Sequence, residues 1–165
     1  MQDLKIRKFP DPGLRARAAK VDKIGGPERA MFSEMAKAMY LSQGVGLAAT
    51  QVGIDRQLAV IDVGDGLLKM ANPVIVKKEG LEAMEEGCLS CPGMIVKIKR
   101  AKKVVVSFLN EEGKVVRLKA QGLLARAIQH ESDHLSGKLI VDYLNPVKKM
   151  LLKKKIGIKL SGNNK

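Results

Sequence analysis

Residues 123–135 read LLARAIQHESDHL and contain both histidines of the chain. Their apolar side chains recur at intervals of three and four, which predicts a helix with one buried face, and Gly137 is placed to end it. Residues four apart share a helix face, so His130 and His134 should point the same way. This spacing suits two nitrogen ligands of one metal ion, and Glu131 lies where it can accept a proton from water.

The chain has the size and composition of one globular domain. Its 165 residues lie within the usual domain length of about 100–200 residues, and 45% of them are apolar, which is enough for a core. We therefore expect a single domain over residues 1–165, with a basic tail from about residue 148.

Apolar periodicity and turn residues predict the other elements. They are a helix from Pro27 to about residue 43, a buried strand at 57–63, a strand at 69–77, a hairpin at 104–118 and a C-terminal helix from Pro146. Pro73 should make the second of these strands an edge strand or give it a bulge. This order of helices and strands favours an α+β fold. Short mixed or antiparallel strands should pack around the helix that carries His130, Glu131 and His134 (the His-Glu-x-x-His, or HExxH, motif), and a C-terminal helix follows.

The net charge of +13 is unevenly distributed. Lysines crowd the end of the chain, and no acidic residue follows Asp142. Such an excess favours polyanionic surroundings such as nucleic acid, although a solvated end that aids solubility explains it equally well. The lysines concerned are Lys148, Lys149, Lys153, Lys154, Lys155, Lys159 and Lys165.

The sequence has no segment typical of export or membrane insertion. Its first residues, MQDLKIRKFPD, lack the apolar run of a signal peptide, and Pro10 interrupts them. Nowhere do eighteen apolar residues follow one another. We expect a soluble, cytoplasmic protein with no membrane partner.

Two histidines do not complete a metal site, and the usual downstream ligands are missing. One class of HExxH peptidase uses a later glutamate, but Glu131 is the last glutamate of this chain. Another class needs a third histidine at the position of Ile140, although Gly137 matches its glycine. Asp142 resembles an ordinary helix cap. The third ligand should therefore lie upstream.

Cys88 and Cys91 are the best upstream candidates, because a thiolate is a strong ligand for zinc or ferrous iron. One cysteine with two histidines leaves a coordination position open for water, whereas two cysteines would close a structural zinc site. The long separation of Cys91 from His130 and the presence of Glu131 favour the open site, but the residues alone leave both possible.

Residues 44–51 read GVGLAATQ and form a third notable segment. They do not match a phosphate-binding loop, because the terminal Lys-Ser/Thr is absent. Small residues let a substrate backbone approach closely, and the Gln51 amide can donate hydrogen bonds to an oxygen.

Together these three segments resemble the peptide deformylase family. The family motifs Gly-x-Gly-x-Ala-Ala-x-Gln, Glu-Gly-Cys-x-Ser and His-Glu-x-x-His occur in order at 44–51, 86–90 and 130–134. The likeness extends from Lys-Phe-Pro-Asp-Pro at 8–12 to Asp-Tyr-Leu at 142–144. It implies a metal-dependent hydrolase that removes the formyl group from the N-terminal methionine of nascent polypeptides and releases formate.

The resemblance also implies roles for individual residues. Cys88, His130 and His134 would bind one divalent metal ion, natively Fe2+, with Zn2+, Ni2+ or Co2+ as possible replacements. Glu131 would act first as general base and then as general acid. The remaining roles that it implies are oxyanion binding by the Gln51 amide and the Leu89 backbone N–H, and substrate binding by Val45, Gly46 and Glu86. The helical repeat places Leu123, Arg126 and Ala127 on the face of His130, so these three should form a wall of the methionine pocket, with Arg126 meeting substrate backbone or solvent. Ordinary core packing explains Leu123 and Ala127 nearly as well.

Cys91 departs from the family pattern, which usually has an aliphatic residue there. We expect it to pack as a small hydrophobic side chain. The resemblance implies formyl-methionyl nascent peptides as substrates, and the basic tail suggests contact with ribosomal RNA. The alternatives are a zinc-stabilised, basic RNA-binding module and an HExxH metallopeptidase.

Overall fold

The computed structural model describes residues 3–162, and the side chains of residues 3–157. It contains three α-helices and seven strands within that range. The elements are α1 (Gly26–Leu41), β1 (Gly46–Ala48), β2 (Leu58–Ile61), β3 (Leu68–Glu79), β4 (Glu82–Cys88), β5 (Cys91–Arg100), β6 (Lys103–Leu109), β7 (Val115–Gln121), α2 (Gly122–Leu135) and α3 (Pro146–Gly162). Short 3-10 helices cover Pro12–Arg15, Ala49–Val52 and Ile140–Tyr143.

The strands form two antiparallel sheets. Five of them pair in the order β1-β2-β3-β6-β7, and β4 pairs only with β5. The predicted α+β class is confirmed, with antiparallel strands around a central helix and a helix at the C-terminal end.

Helix α2 packs one face against the large sheet. Ala125, Ile128 and Leu135 are buried in a cluster with Met70 and Val106. The face turned away from this cluster carries the motif residues toward the β4–β5 hairpin. One element therefore serves both as core and as the base of the site.

Gly137 ends α2 as predicted. Its φ is +78°, and a Cβ there would lie 2.5 Å from the backbone oxygen of Arg15. Only glycine adopts this conformation readily and allows the N-terminal segment to approach so closely.

Pro73 lies at a bulge, but the prediction of an edge strand is wrong. Strand β3 lies between β2 and β6 and runs for twelve residues. Its register with β6 shifts between Ala71 and Val74, so the missing N–H of the proline falls where the ladder is already interrupted. Next to it, the Asn72 side chain exchanges two hydrogen bonds with the backbone of Val21.

The β4–β5 hairpin was not predicted from the sequence. Val96, Ile98 and Arg100 alternate with exposed residues, a period of two that is typical of a strand, but two glycines and a proline precede this pattern. The buried side of β5 packs with Leu14 and Leu139 in a separate apolar cluster.

Helix α3 begins where the sequence predicted. The Asn145 side chain accepts a hydrogen bond from the Lys148 backbone N–H at 2.8 Å, which caps the helix. Most of the described α3 lysines are exposed. The side chains of Lys159 and Lys165 lie outside the described residues. Among the described residues, no helix is both long and apolar enough to cross a membrane.

Candidate active site

The three sequence motifs meet at one cavity of about 470 Å³. Segment 44–51 forms one side, the β4–β5 turn forms another, and α2 forms the floor. Nine of the ten predicted site residues line this cavity, and the tenth, His134, is fully buried behind it. The nine are Val45, Gly46, Gln51, Glu86, Cys88, Leu89, Arg126, His130 and Glu131.

A larger cavity of about 610 Å³ borders a different face of α2, along Gln129, Ser132 and Ser136. It contains none of the cysteines or histidines. Its acidic residue, Asp133, already accepts hydrogen bonds from Arg100 and Tyr143. Cavity size alone therefore does not identify the candidate active site. The smaller cavity is the better candidate because titratable side chains converge there.

The three predicted metal ligands converge at the inner end of the smaller cavity. Cys88 Sγ and His134 Nε2 are 3.2 Å apart, His134 Nε2 and His130 Nε2 are also 3.2 Å apart, and all three ligand atoms lie within 4.8 Å of one another. Tetrahedral bonds of the usual metal–nitrogen and metal–sulfur lengths separate ligand atoms by about 3.3–3.6 Å. The donor set therefore fits one small divalent ion.

Cys91 is not part of this ligand group. Among the described residues the group contains Cys88, His130 and His134, so the closed site with two cysteines is not supported. Cys91 is 1% exposed and packs in the apolar cluster beside Val96 and Ile98, as a small hydrophobic side chain would. Three protein ligands leave a coordination position for water, as in hydrolytic sites.

Glu86 orients His130 from behind. Its Oε2 is 3.0 Å from His130 Nδ1, which directs Nε2 of that ring toward the other two ligands. Arg100 binds both carboxylate oxygens, at 2.6 and 3.0 Å, and Arg126 donates to Oε1 at 2.7 Å. Arg100 also reaches Asp133 at 2.9 Å. A buried ionic network therefore links the hairpin to α2.

The electrostatics of the site favour a cation bound next to the predicted ligand atoms. The Cys91 thiol, together with His130 and His134, lowers the pKa of Cys88 well below that of a free thiol, against the effect of burial. Burial lowers the pKa of His130, but hydrogen bonds to Cys88 and Glu86 raise it to about 10. A divalent cation supplies the charge that these groups otherwise draw from protons.

The same network keeps Glu86 ionised. Burial by itself raises the pKa of this carboxyl, but hydrogen bonds from His130 and Arg100, followed by Arg126, lower it to about 2. The carboxylate therefore remains an acceptor for His130 throughout the physiological pH range.

Glu131 is a buried carboxyl in the wall of the cleft. It is 3% exposed, and its Oε2 has no hydrogen-bond partner among the described residues. Burial raises its pKa, which favours proton uptake. A Cβ at Gly46 would lie 2.3 Å from its Oε1, so any side chain there would have to displace the carboxylate.

Gln51 lies beside Cys88, one of the three predicted ligands. Its Oε1 accepts a hydrogen bond from the Ala48 N–H at 2.9 Å, which fixes the orientation of the amide. Its Nε2 donates to Ser90 Oγ at 3.0 Å and lies 3.7 Å from Cys88 Sγ. Leu89 occupies the turn between β4 and β5, between Cys88 and Ser90. The amide and the turn thus face the cleft next to the ligands.

Arg126 and Glu86 line the cavity wall, but their hydrogen-bonding groups are already bound to other groups of the protein. Arg126 Nη1 also donates to the Ile98 carbonyl at 3.1 Å, and Nη2 donates to the Glu82 carbonyl at 2.8 Å. These contacts hold α2 against both strands of the hairpin. Val45 is different, because its side chain is 48% exposed and open to the cleft.

Sequence reasoning missed the residues that support the site. The sequence analysis gives no role in the site to Arg100, Ser90, Asp133 or Tyr143. The alternation of Ile98 and Arg100 with lysines was the one available signal, since it places the arginine on the buried side of a strand. The bonds of Arg100 to Asp133 and Tyr143, and of Gln51 to Ser90, join residues 33 to 43 positions apart and depend on the fold.

Two imidazoles and a thiolate converging beside a carboxylate, in an open cleft, define a metal-dependent hydrolase. The family model described as Polypeptide deformylase matches residues 3–150. The chain therefore belongs to the polypeptide deformylase family, whose members are hydrolases that remove formyl groups and depend on a divalent metal ion.

Comparison with known proteins agrees with this assignment. The chain is 49% identical over 144 residues to a peptide deformylase of Halothermothrix orenii, covering 86% of this chain and 94% of the relative. It is 52% identical over 137 residues to one of Caldanaerobacter subterraneus, covering 83% and 86%. Neither alternative, the RNA-binding module or the HExxH metallopeptidase, is supported.

Solved structures show the same fold. A peptide deformylase from Legionella pneumophila superposes with a TM-score of 0.88 at 38% identity, covering 99% of both chains. One from Ehrlichia chaffeensis in complex with actinonin has a TM-score of 0.90 at 34% identity, covering 96% of this chain and 98% of the other.

Proposed function

We propose that this chain is a cytoplasmic deformylase that releases formate from N-formylmethionine at the start of nascent polypeptides. The observation that carries the proposal is the unpaired Oε2 of Glu131 beside the three convergent ligand atoms, at the end of an open cleft. We further propose that residues 1–165 act as one catalytic domain with a basic tail from about residue 148.

Cys88, His130 and His134 are the proposed metal ligands. A thiolate with two imidazoles suits Fe2+, which we propose as the native ion, and also accommodates Zn2+, Ni2+ or Co2+. The bound ion would supply Lewis-acid chemistry, polarising the formyl oxygen and acidifying water.

Glu131 is the proposed proton carrier. Glu131 lines the cleft and its Oε2 has no hydrogen-bond partner among the described residues, so the carboxylate can take a proton from the attacking water and deliver it to the amine that leaves. Burial favours the first of these transfers, because it raises the affinity of the carboxylate for a proton.

Gln51 and Leu89 are proposed to stabilise the oxygen of the carbonyl under attack. The Gln51 Nε2–H and the Leu89 backbone N–H are donors next to the ligands, where negative charge develops on that oxygen. The Gln51 amide is already oriented by Ala48, so little reorganisation accompanies the reaction.

The methionine side chain is proposed to lie along the apolar part of the cleft. Val45, Leu123 and Ala127 offer apolar surface there, and Gly46 leaves room for the substrate backbone. Glu86 and Arg126 border the same space. We propose that Arg126 contributes to substrate binding by holding the wall in place, because its donors already bind Glu86 and backbone carbonyls.

Glu131→Gln provides the test of this function. The amide keeps the shape of the side chain but cannot accept the proton, so formate release from a formyl-methionyl peptide should fall about 10²–10⁴-fold. Anaerobic purification with metal analysis should find about one divalent ion per chain in both the wild type and Glu131→Gln. Full activity in the variant, or wild-type protein that retains metal but releases no formate, would contradict the proposal.

We also propose that α3 places the enzyme on ribosomal RNA, where its substrates emerge. The support is the row of exposed lysines on this helix and the absence of acidic residues after Asp142. Deleting the residues after Lys148 should abolish salt-sensitive ribosome binding while leaving hydrolysis of short peptides unchanged. Unaltered ribosome binding by the truncated protein would rule out this role.

A further inference from the structure

The metal ligand Cys88 faces a second thiol across the β4–β5 hairpin. Cys88 and Cys91 are paired Cα positions at the two-residue turn of these antiparallel strands. Such pairs have Cα atoms about 4.5–5.5 Å apart. Disulfides span Cα distances of about 4.4–6.8 Å, so the backbone already has the separation that a bridge requires.

The side chains of the two cysteines also lie close together. Both residues line the cleft, and Cys88 packs against the apolar cluster that contains Cys91. They are the only cysteines of the chain, and both are free. Cys88 is partly exposed while Cys91 is 1% exposed, so an oxidant entering the cleft meets Cys88 first.

We infer that Cys88 and Cys91 form a reversible disulfide under peroxide, and that the bridge releases the metal ion. The inference rests on the proposed metal role of Cys88. A sulfur joined to Cys91 is no longer a thiolate ligand, and His130 and His134 alone do not hold the ion at an open site. Metal binding and the disulfide are therefore mutually exclusive states of one hairpin.

The chemistry balances with a hydroperoxide as the oxidant. The Cys88 sulfur attacks one peroxide oxygen, the O–O bond breaks, one water leaves, and a sulfenic acid remains. The Cys91 sulfur then attacks the Cys88 sulfur, the S–S bond forms, the S–O bond breaks, and a second water carries away the Cys91 proton. The two thiols lose two electrons, and hydrogen peroxide is reduced to two waters.

The disulfide with Cys91 stops Cys88 from binding metal, but it also protects Cys88 from irreversible oxidation. Without a nearby thiol, a sulfenic acid at Cys88 would progress to sulfinic and sulfonic acids, which reductants do not reverse. With Cys91 across the turn, oxidation stops at a state that a dithiol can reduce, after which the ion can bind again.

The test uses the full chain loaded with zinc, because zinc itself undergoes no redox reaction. Hydrogen peroxide should remove two hydrogens from the tryptic peptide 79–97, which contains both cysteines, and release the zinc to a chromophoric chelator. A dithiol followed by zinc should restore both thiols and most of the bound metal.

Cys91→Val is the matched variant, and Cys91→Ala serves if valine prevents folding. The variant should bind zinc like the wild type, but peroxide should add oxygens to Cys88, with less than about a tenth of the zinc recovered after reduction. Two results for the wild-type peptide would contradict the inference: oxygen added to Cys88 with no loss of two hydrogens, or both thiols still free after peroxide. A disulfide that joins two chains would also contradict it. So would recovery of as much zinc by the variant as by the wild type. If the untreated protein bound no zinc, the proposed function would fail instead, and the mass of the peptide would still report the disulfide.

Discussion

The active site joins two regions that are stabilised in different ways. Helix α2 supplies both histidines and is held by apolar side chains such as Ile128 in the core of the large sheet. The β4–β5 hairpin supplies Cys88 and is tied to α2 through Glu86, Arg100 and Arg126, all buried and ion-paired.

This difference means that changes in the two regions should have different consequences. Removing apolar atoms from the core of α2 should lower the free energy of unfolding but leave the arrangement of Cys88, His130 and His134 in the folded protein unchanged. Removing a charge from the hairpin network changes stability and the orientation of His130 together, because Glu86 belongs to both.

Arg100→Met should have the largest effect on stability. It leaves Glu86 and Asp133 without their shared cation, and breaking such a buried pair costs about 3–5 kcal/mol. Loss of the support behind His130 should also weaken metal binding about 10–100-fold. Chemical denaturation and metal titration measure the two effects.

Arg100→Lys is the control for this change, since it retains the charge but cannot bind both oxygens of Glu86. It should fall between the wild type and Arg100→Met in both measurements. A methionine variant with normal metal affinity would show that the network supports the hairpin only.

Ile128→Ala should destabilise the protein by about 2–5 kcal/mol, because it leaves a cavity in the core under α2. Metal affinity measured well below the unfolding transition should stay close to that of the wild type. Leu41→Ala, at a 72% exposed position, should change stability by less than about 0.5 kcal/mol. If Ile128→Ala weakened metal binding as much as Arg100→Met, the proposed separation of the two regions would be wrong.

The smallest effect concerns the segment after α2, which packs against the hairpin through Leu139. Asp142 accepts two hydrogen bonds from Arg15, at 2.6 and 2.9 Å, and one from the Leu139 N–H. Burial opposes ionisation of this carboxyl, but Arg15 and Leu139 lower its pKa. The ionised form therefore stabilises the fold.

A lowered pKa gives stability that is present above the ordinary carboxyl pKa of about 3.9 and is lost as the pH falls through the folded-state value. Asp142→Asn should therefore slightly lower the midpoint temperature of unfolding near neutral pH. The difference in midpoint temperature between this variant and the wild type should shrink in acid. Arg15→Gln should reproduce this pH dependence. A difference that grew below pH 4 would exclude the ion pair as its cause.

The sequence predicted α2 and its motif well because a helix is a local structure. The spacing of His130 and His134 follows from the helical repeat, and Gly137 signals the end. The cap at Asn145 is equally local. The prediction for Pro73 was right about the bulge and wrong about the edge, because strand order depends on contacts that no short window of sequence contains.

The hairpin could not be predicted in the same way. Its role depends on pairs such as His130 with Glu86, 44 positions apart, and Arg126 with Glu86, 40 positions apart. Arg126 illustrates the limit, since its position on the helix indicated the cleft wall but not that its donors are already bound.

The sequence by itself determined the ligand-bearing helix, the three motifs and the family they resemble, since each is a matter of residue type and short-range spacing. Only the tertiary structure decided that Cys88 and not Cys91 joins the histidines, that Glu86 is an ion-paired support, and that the two cysteines pair across the hairpin turn. These features arise because folding desolvates charges and thiols from distant segments and brings them within hydrogen-bonding distance, where their electrostatic interactions become strong.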